Sequence, residues 1–279
     1  MRPDLETNNA FIYCLAVAAQ RFNVGVIFTA AMSNHHHTGI VDRDGRLPDF
    51  LAYFHKLFAK HQNVLRGRWE NFWAPEQPSA VELLTPEDVI DKMVYAITNP
   101  VKDNLVERAH HWPAVDCAAA VARGEPLVAS KPLRFFRQDN DRLPVVVSLE
   151  LVRPPGLDHL AHEAWVKIIG DRIAAVEAAA AARRVQDGTR ILGRRAIRKQ
   201  RWRDCPASRE PRRQLSPHVA CGDKWRRIEA LQRNRAFLDA YRTARTLWMA
   251  GDEAACFPYG TFWLARHAAV PCAQAGPPS

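Results

Sequence analysis

The sequence contains no Cys-x-x-Cys pair, no Walker-type glycine loop and no Gly-x-Ser-x-Gly elbow. These absences argue against a zinc ribbon, a P-loop nucleotide hydrolase and an α/β-hydrolase nucleophile. No segment reaches the roughly 18 uninterrupted apolar residues of a membrane span. Arg2 is followed by Asp4 and Glu6 rather than by an apolar run with a cleavage site, so no secretory signal is visible. The six cysteines, Cys14, Cys117, Cys205, Cys221, Cys256 and Cys272, are widely scattered. They read as free thiols of a reducing cytoplasm rather than as a disulfide framework. No internal repeat is present, which excludes a solenoid.

What is present is positive charge, unevenly spread. The net charge is +9, yet the stretch from Arg183 to Arg235 carries 17 Lys or Arg against five acids, so the remainder is slightly acidic. A basic block of this size, which includes Arg194, Arg195, Arg198, Lys199, Arg201, Arg212 and Arg213, is an electrostatic footprint for phosphate. Trp202 and Trp225 lie inside it and can stack on unpaired bases. The competing expectation for each tryptophan, taken singly, is burial in a core. A second basic and aromatic cluster runs from Arg66 and Arg68 through Trp69, Phe72 and Trp73.

Chemistry is suggested first by Asn34-His35-His36-His37, which closes the apolar stretch from Val24 to Met32. The period of two in a strand puts His35 and His37 on one face and His36 on the other. Two imidazoles on one face can hold one divalent cation, with a third ligand from elsewhere. The plain alternative is three histidines in an exposed turn.

The second signal is a helix with a clearly written start: Thr85 as N-cap, Pro86 at the first helical position and Asp88 three residues after the cap. Val89, Ile90, Met93, Val94 and Ile97 follow at helical spacing, and Pro100 is expected to help end the helix after Asn99. Tyr95 and Asn99, four apart, share a face. A phenol attacks phosphorus when a metal polarises the phosphate, and an amide oxygen can complete a metal's shell. The plain alternative is that Tyr95 is packing and Asn99 a cap.

In this order, Met32-Ser33-Asn34-His35-His36-His37, then Tyr95-Ala96-Ile97-Thr98-Asn99-Pro100-Val101, then Leu105-Val106 and Trp112-Pro113, the chain resembles the REP-associated tyrosine transposases. These are single-tyrosine HUH endonucleases related to insertion-sequence transposases. The resemblance covers roughly residues 1–116. It implies that His35 and His37 are metal ligands, Asn99 the third ligand, and Tyr95 the nucleophile that becomes joined to a DNA 5′ phosphate. It also implies Mg²⁺ or Mn²⁺ as the metal and single-stranded, hairpin-forming DNA as the substrate. With one tyrosine per site, two simultaneous cleavages need two protomers, so a homodimer is a candidate assembly. Two departures accompany the resemblance. The middle HUH position is usually a bulky hydrophobe, whereas here it is His36. The usual first strand, ahead of a helix expected to begin at Asn8 or Asn9, is missing, which reads as a misassigned start or a truncated copy and leaves a sheet edge unpaired beside the histidine hairpin.

The expected fold class is α+β, a ferredoxin-like antiparallel sheet with helices on one face, followed by a mainly helical basic region. A catalytic domain is expected over residues 1–118 and a basic extension over 119–279. Within the extension, the pattern predicts a strand at Val145 to Leu149, long helices at about Leu157 to Gln186 and Asp223 to Ala250, and a short strand at Phe257 to Leu264. The functional expectation is a metal-dependent single-stranded DNA endonuclease and transesterase of the cytoplasm, associated with the nucleoid. A catalytically inactive or domesticated DNA-binding protein is the alternative. A water-using metal hydrolase, for which Tyr95 is expendable, is a third.

Overall fold

The architecture follows from a computed structural model that describes residues 1–204 and 217–274. In chain order the elements are α1 (Leu5–Phe22), β1 (Val24–Ala31), β2 (His36–Asp42), α2 (Leu47–Arg66), β3 (Glu82–Leu83), α3 (Pro86–Lys102), α4 (Ala118–Arg123), β4 (Leu127–Ser130), β5 (Val146–Leu149), α5 (His162–Asp187), α6 (Arg194–Lys199), β6 (Val219–Ala220), α7 (Lys224–Met249) and α8 (Phe262–His267). The fold is mixed α/β with small sheets. Antiparallel pairs join β1 to β2 and β4 to β5, and a short parallel pair joins β3 to β6. Among the described residues, no helix is long and apolar enough to cross a membrane.

The β1–β2 hairpin is the centre of the molecule, and all eight residues of β1 are buried. Complete burial requires cover on both faces, and helices supply it on both, not on one as the pattern suggested. Val24 and Val26 join a cluster with Phe11, Cys14 and Leu15 of α1, Phe50, Phe54 and Phe58 of α2, and Val147 and Leu149 of β5. Ile27, Phe28, Ala30 and Met32 join a second cluster with Ile90, Met93, Val94 and Ile97 of α3, Trp112, Trp165 and Ile169 of α5, and Ile197 of α6. A bulge between Val26 and Phe28 breaks the alternation, so that Ile27 and Phe28 serve the same cluster. Both clusters draw side chains from either side of residue 118.

The outer edge of β1 is not left bare. Ala31 N–H donates to Val115 O at 2.9 Å, Cys117 N–H to Thr29 O at 3.2 Å, and Val152 N–H to Val26 O at 2.8 Å. Two short segments from later in the chain thus satisfy backbone groups for which the sequence reading found no partner strand.

Several element ends differ from expectation for local reasons. The N-cap of α1 is Asp4, whose carboxylate accepts from Thr7 N–H at 2.8 Å. The residues expected to cap it act elsewhere: Asn8 donates to Pro113 O at 2.9 Å, and Asn9 both donates to Ser130 O and accepts from Ser130 N–H. Pro100 lies inside α3, which continues to Lys102. Its ring removes only one N–H in the last turns, where its fixed φ is compatible with a helix. Phe262–His267 is a helix rather than a strand.

Candidate active site

The hairpin turn at Ser33 and Asn34 is closed by Met32 N–H donating to His35 O at 2.8 Å. The register then sets His36 opposite Ala31 and His37 opposite Ala30. His35 precedes the first residue of β2, and its ring lies edge-on to that of His37 with centroids 4.9 Å apart. His37 in turn meets Tyr95 of α3 edge-on at 5.5 Å. The helix is fixed at its start by a complete capping box: Asp88 N–H donates to Thr85 Oγ1 at 3.1 Å and Thr85 N–H donates to the Asp88 carboxylate at 3.0 Å.

Asn99, one turn beyond Tyr95, is 6% exposed, and its amide end lies 3.3 Å from His37 Nε2 and 3.5 Å from His35 Nε2. A half turn of the amide exchanges nitrogen for oxygen. In that orientation the site offers two imidazole nitrogens and one amide oxygen, the oxygen taking the amide position 3.3 and 3.5 Å from the two nitrogens, near the roughly 3 Å between neighbouring donors of one small divalent cation. His35 Nδ1 lies 2.7 Å from Asn34 Oδ1; a proton on Nδ1 leaves the Nε2 lone pair for a metal. Burial lowers the His35 pKa, and burial, then the charges of His35 and Lys92, bring His37 down to about 4. Burial thus favours the neutral form of both rings, the form that binds a metal. Among the described residues, no group of three His, Cys, Asp or Glu is arranged to hold a metal. Three protein donors at this site therefore require the amide. Two imidazole nitrogens and an amide oxygen form a donor set that fits a divalent cation.

The phenol of Tyr95 is 41% exposed and accessible. Two lysines that the sequence reading passed over flank it, with Lys102 Nζ 4.8 Å and Lys92 Nζ 5.5 Å from the ring centroid. Their spacing was the available signal, since Lys92, Tyr95, Asn99 and Lys102 recur at helical intervals along one face.

No family model, curated protein or solved structure matches this chain.

His36 points to the other face of the hairpin, among Phe11, Phe54, His55 and Trp73, with its Nε2 3.1 Å from His55 Nε2. Burial, then the neighbouring imidazoles, push its pKa down to about 3, so it sits among these aromatic side chains as a neutral ring.

The basic residues divide into groups. Arg66 is held by Asp4 at 2.6 Å and Thr7 at 2.9 Å, tying α2 to α1. Arg68 is held by Glu70 at 3.1 Å and lies 5.5 Å from the Trp202 ring centroid, with Arg203 over the same ring at 4.6 Å. The half-buried Trp202 thus joins the loop after α2 to the basic block. Arg194, Arg195, Arg198 and Lys199 belong to α6, which is seated beside the end of α3 by Leu192 N–H donating to Asn104 O and Gly193 N–H to Leu105 O, both 2.9 Å. Arg201 follows α6 and is exposed; Arg212 and Arg213 lie outside the described residues. Trp225 is 74% exposed in the first turn of α7 and so is not the core residue expected.

Proposed function

We propose that this protein is a metal-dependent single-stranded DNA endonuclease and transesterase, a transposase of the single-tyrosine HUH type, whose hairpin and tyrosine helix form the working part of a ferredoxin-like core. The observation that carries the proposal is the convergence of His35, His37 and Asn99 beside an accessible Tyr95. These groups come from two elements that the chain brings together through the second core cluster.

A divalent cation, if bound, would be held by His35, His37 and Asn99 and would supply Lewis acidity at the scissile phosphate. Tyr95 attacks the phosphorus in line; the bond from phosphorus to the 3′ oxygen breaks, leaving a free 3′ hydroxyl and a 5′ phosphotyrosine. The new ester conserves the phosphodiester's energy, so a second 3′ hydroxyl reverses the step on another strand. The basic face of α6 lies next to the end of α3 and serves the phosphates of a hairpin-forming single strand, which would keep the protein on the nucleoid. Two simultaneous cleavages would need two protomers.

The seating of α6 by main-chain hydrogen bonds, independent of any metal, also favours a second reading, a DNA-binding protein without chemistry. Manganese, labelled hairpin oligonucleotides from the protein's own genomic flanks, and denaturing gels separate the two. A protein-linked DNA band that disappears in Tyr95→Phe is the expected result. Cleavage that survives Tyr95→Phe contradicts the tyrosine mechanism and points to a water-using nuclease, and salt-sensitive binding with no cleavage favours the second reading.

A further inference from the structure

Lys92, Tyr95, Asn99 and Lys102 fall at i, i+3, i+7 and i+10 of α3, one stripe of the helix. The two ammonium groups approach the same phenol ring, and neither forms an ion pair among the described residues. The acidic residues of α3 are engaged elsewhere. Asp88 accepts from Gly222 N–H at 2.8 Å, Asp91 binds Arg172 at 2.8 Å, and Glu87 binds the same arginine. Two like charges beside one ring repel each other unless an anion lies between them. The cationic stripe therefore borders the phenol.

We propose that Lys92 and Lys102 are catalytic residues that donate to the nonbridging oxygens of the phosphodiester attacked by Tyr95. This inference rests on the transesterase reading. As the tyrosine oxygen bonds to phosphorus and the 3′ oxygen departs, negative charge accumulates on those nonbridging oxygens. The phenolic proton passes to solvent, the 3′ oxygen takes a proton from solvent, and both lysines keep theirs. Donors aimed at developing charge act on the transition state more than on the bound strand, so they raise the rate more than the affinity.

The test compares Lys92→Met, Lys102→Met and Lys102→Arg with Lys60→Met, an exposed position on α2 that lies across the hairpin from α3. Thermal melts establish that each variant is folded. In single-turnover reactions with manganese and hairpin DNA, Lys102→Met should slow adduct formation about 100-fold, with partial recovery in Lys102→Arg. Manganese affinity should be unchanged. Adduct formation at the wild-type rate in both methionine variants overturns the proposal. A parallel binding assay uses labelled oligothymidylate without metal. Each of the two methionine variants should lower the salt slope of binding by about 0.7 while Lys60→Met leaves it unaltered. If the wild type forms no adduct, the transesterase reading fails by itself. The binding assay then decides the lysines: reduced slopes keep them as phosphate contacts, and unaltered slopes overturn that role too.

Discussion

In the proposed site, a histidine set between the two ligand histidines is compatible with metal binding only if its surroundings refuse a charge. His36 meets that condition through the rings of Phe11, Phe54 and Trp73 and through its contact with His55. Asn99 is the other residue on which the site depends, because its amide lies within 3.5 Å of both imidazoles. Asn99→Ala should weaken manganese binding at least about tenfold by isothermal titration. Asn99→Asp, which offers a carboxylate oxygen at the same place, should retain binding. Equal affinity in Asn99→Ala and wild type would remove the amide from the site. Tyr95→Phe should bind single-stranded DNA within about twofold of wild type, since it loses a hydroxyl that acts only in the transition state.

At the scale of elements, the hairpin and α3 depend on a few local decisions. A β-carbon on Gly39 would run into the ring of Phe28, which is opposite it in the register. Gly39→Ala should therefore destabilise the fold by about 1–3 kcal/mol in urea unfolding and lower metal affinity with it. Thr85→Ala removes one side of the capping box and should cost about 1 kcal/mol. The element that carries Tyr95 and Asn99 was the most legible in the sequence, because Thr85, Pro86 and Asp88 state its start locally. The facing of His35 and His37 was legible for the same kind of reason, as a consequence of strand period. What was not legible depends on distant partners. Asn8 and Asn9 look like caps until Pro113 and Ser130 take their amides. Likewise the edge of β1 looks bare until residues 115–117 and 152 arrive from elsewhere. Trp225 sits at a position that helical spacing assigns to a core, but it stays 74% exposed, with Lys224 Nζ 5.7 Å from its ring centroid. Burial is a property of the assembly of elements, not of one helix's pattern.

For the molecule as a whole, burial of neutral imidazoles sets the response to pH. Burial pushes His36 down to about 3 and His37, His55 and His61 to about 4, with lesser contributions from neighbouring imidazoles and basic side chains at His36, His37 and His61. The unfolded chain takes up protons at these positions as the pH falls below about 6.5, whereas the native state does not, so this stability is complete above 6.5 and is lost toward pH 4. Asp116 works in the opposite sense. Burial raises its carboxyl to about 7, and its Oδ2 has no hydrogen-bond partner among the described residues. The native state holds that proton between the ordinary carboxylate range and 7, so its contribution is lost as the pH rises through 7. Four imidazoles outweigh one carboxyl. The melting temperature should fall from pH 7 to pH 5, and Asp116→Asn should raise it at pH 8 but not at pH 4. A melting temperature that rises between pH 7 and pH 5 would contradict the burial of these rings. The central claim concerns one bond, and peptide mapping tests it most directly: the protein is incubated with manganese and hairpin DNA, digested with nuclease and protease, and analysed by mass spectrometry. A nucleotide 5′ phosphate should appear on Tyr95 and on no other residue. A nucleotide attached elsewhere, or cleaved DNA with Tyr95 unmodified, would contradict it.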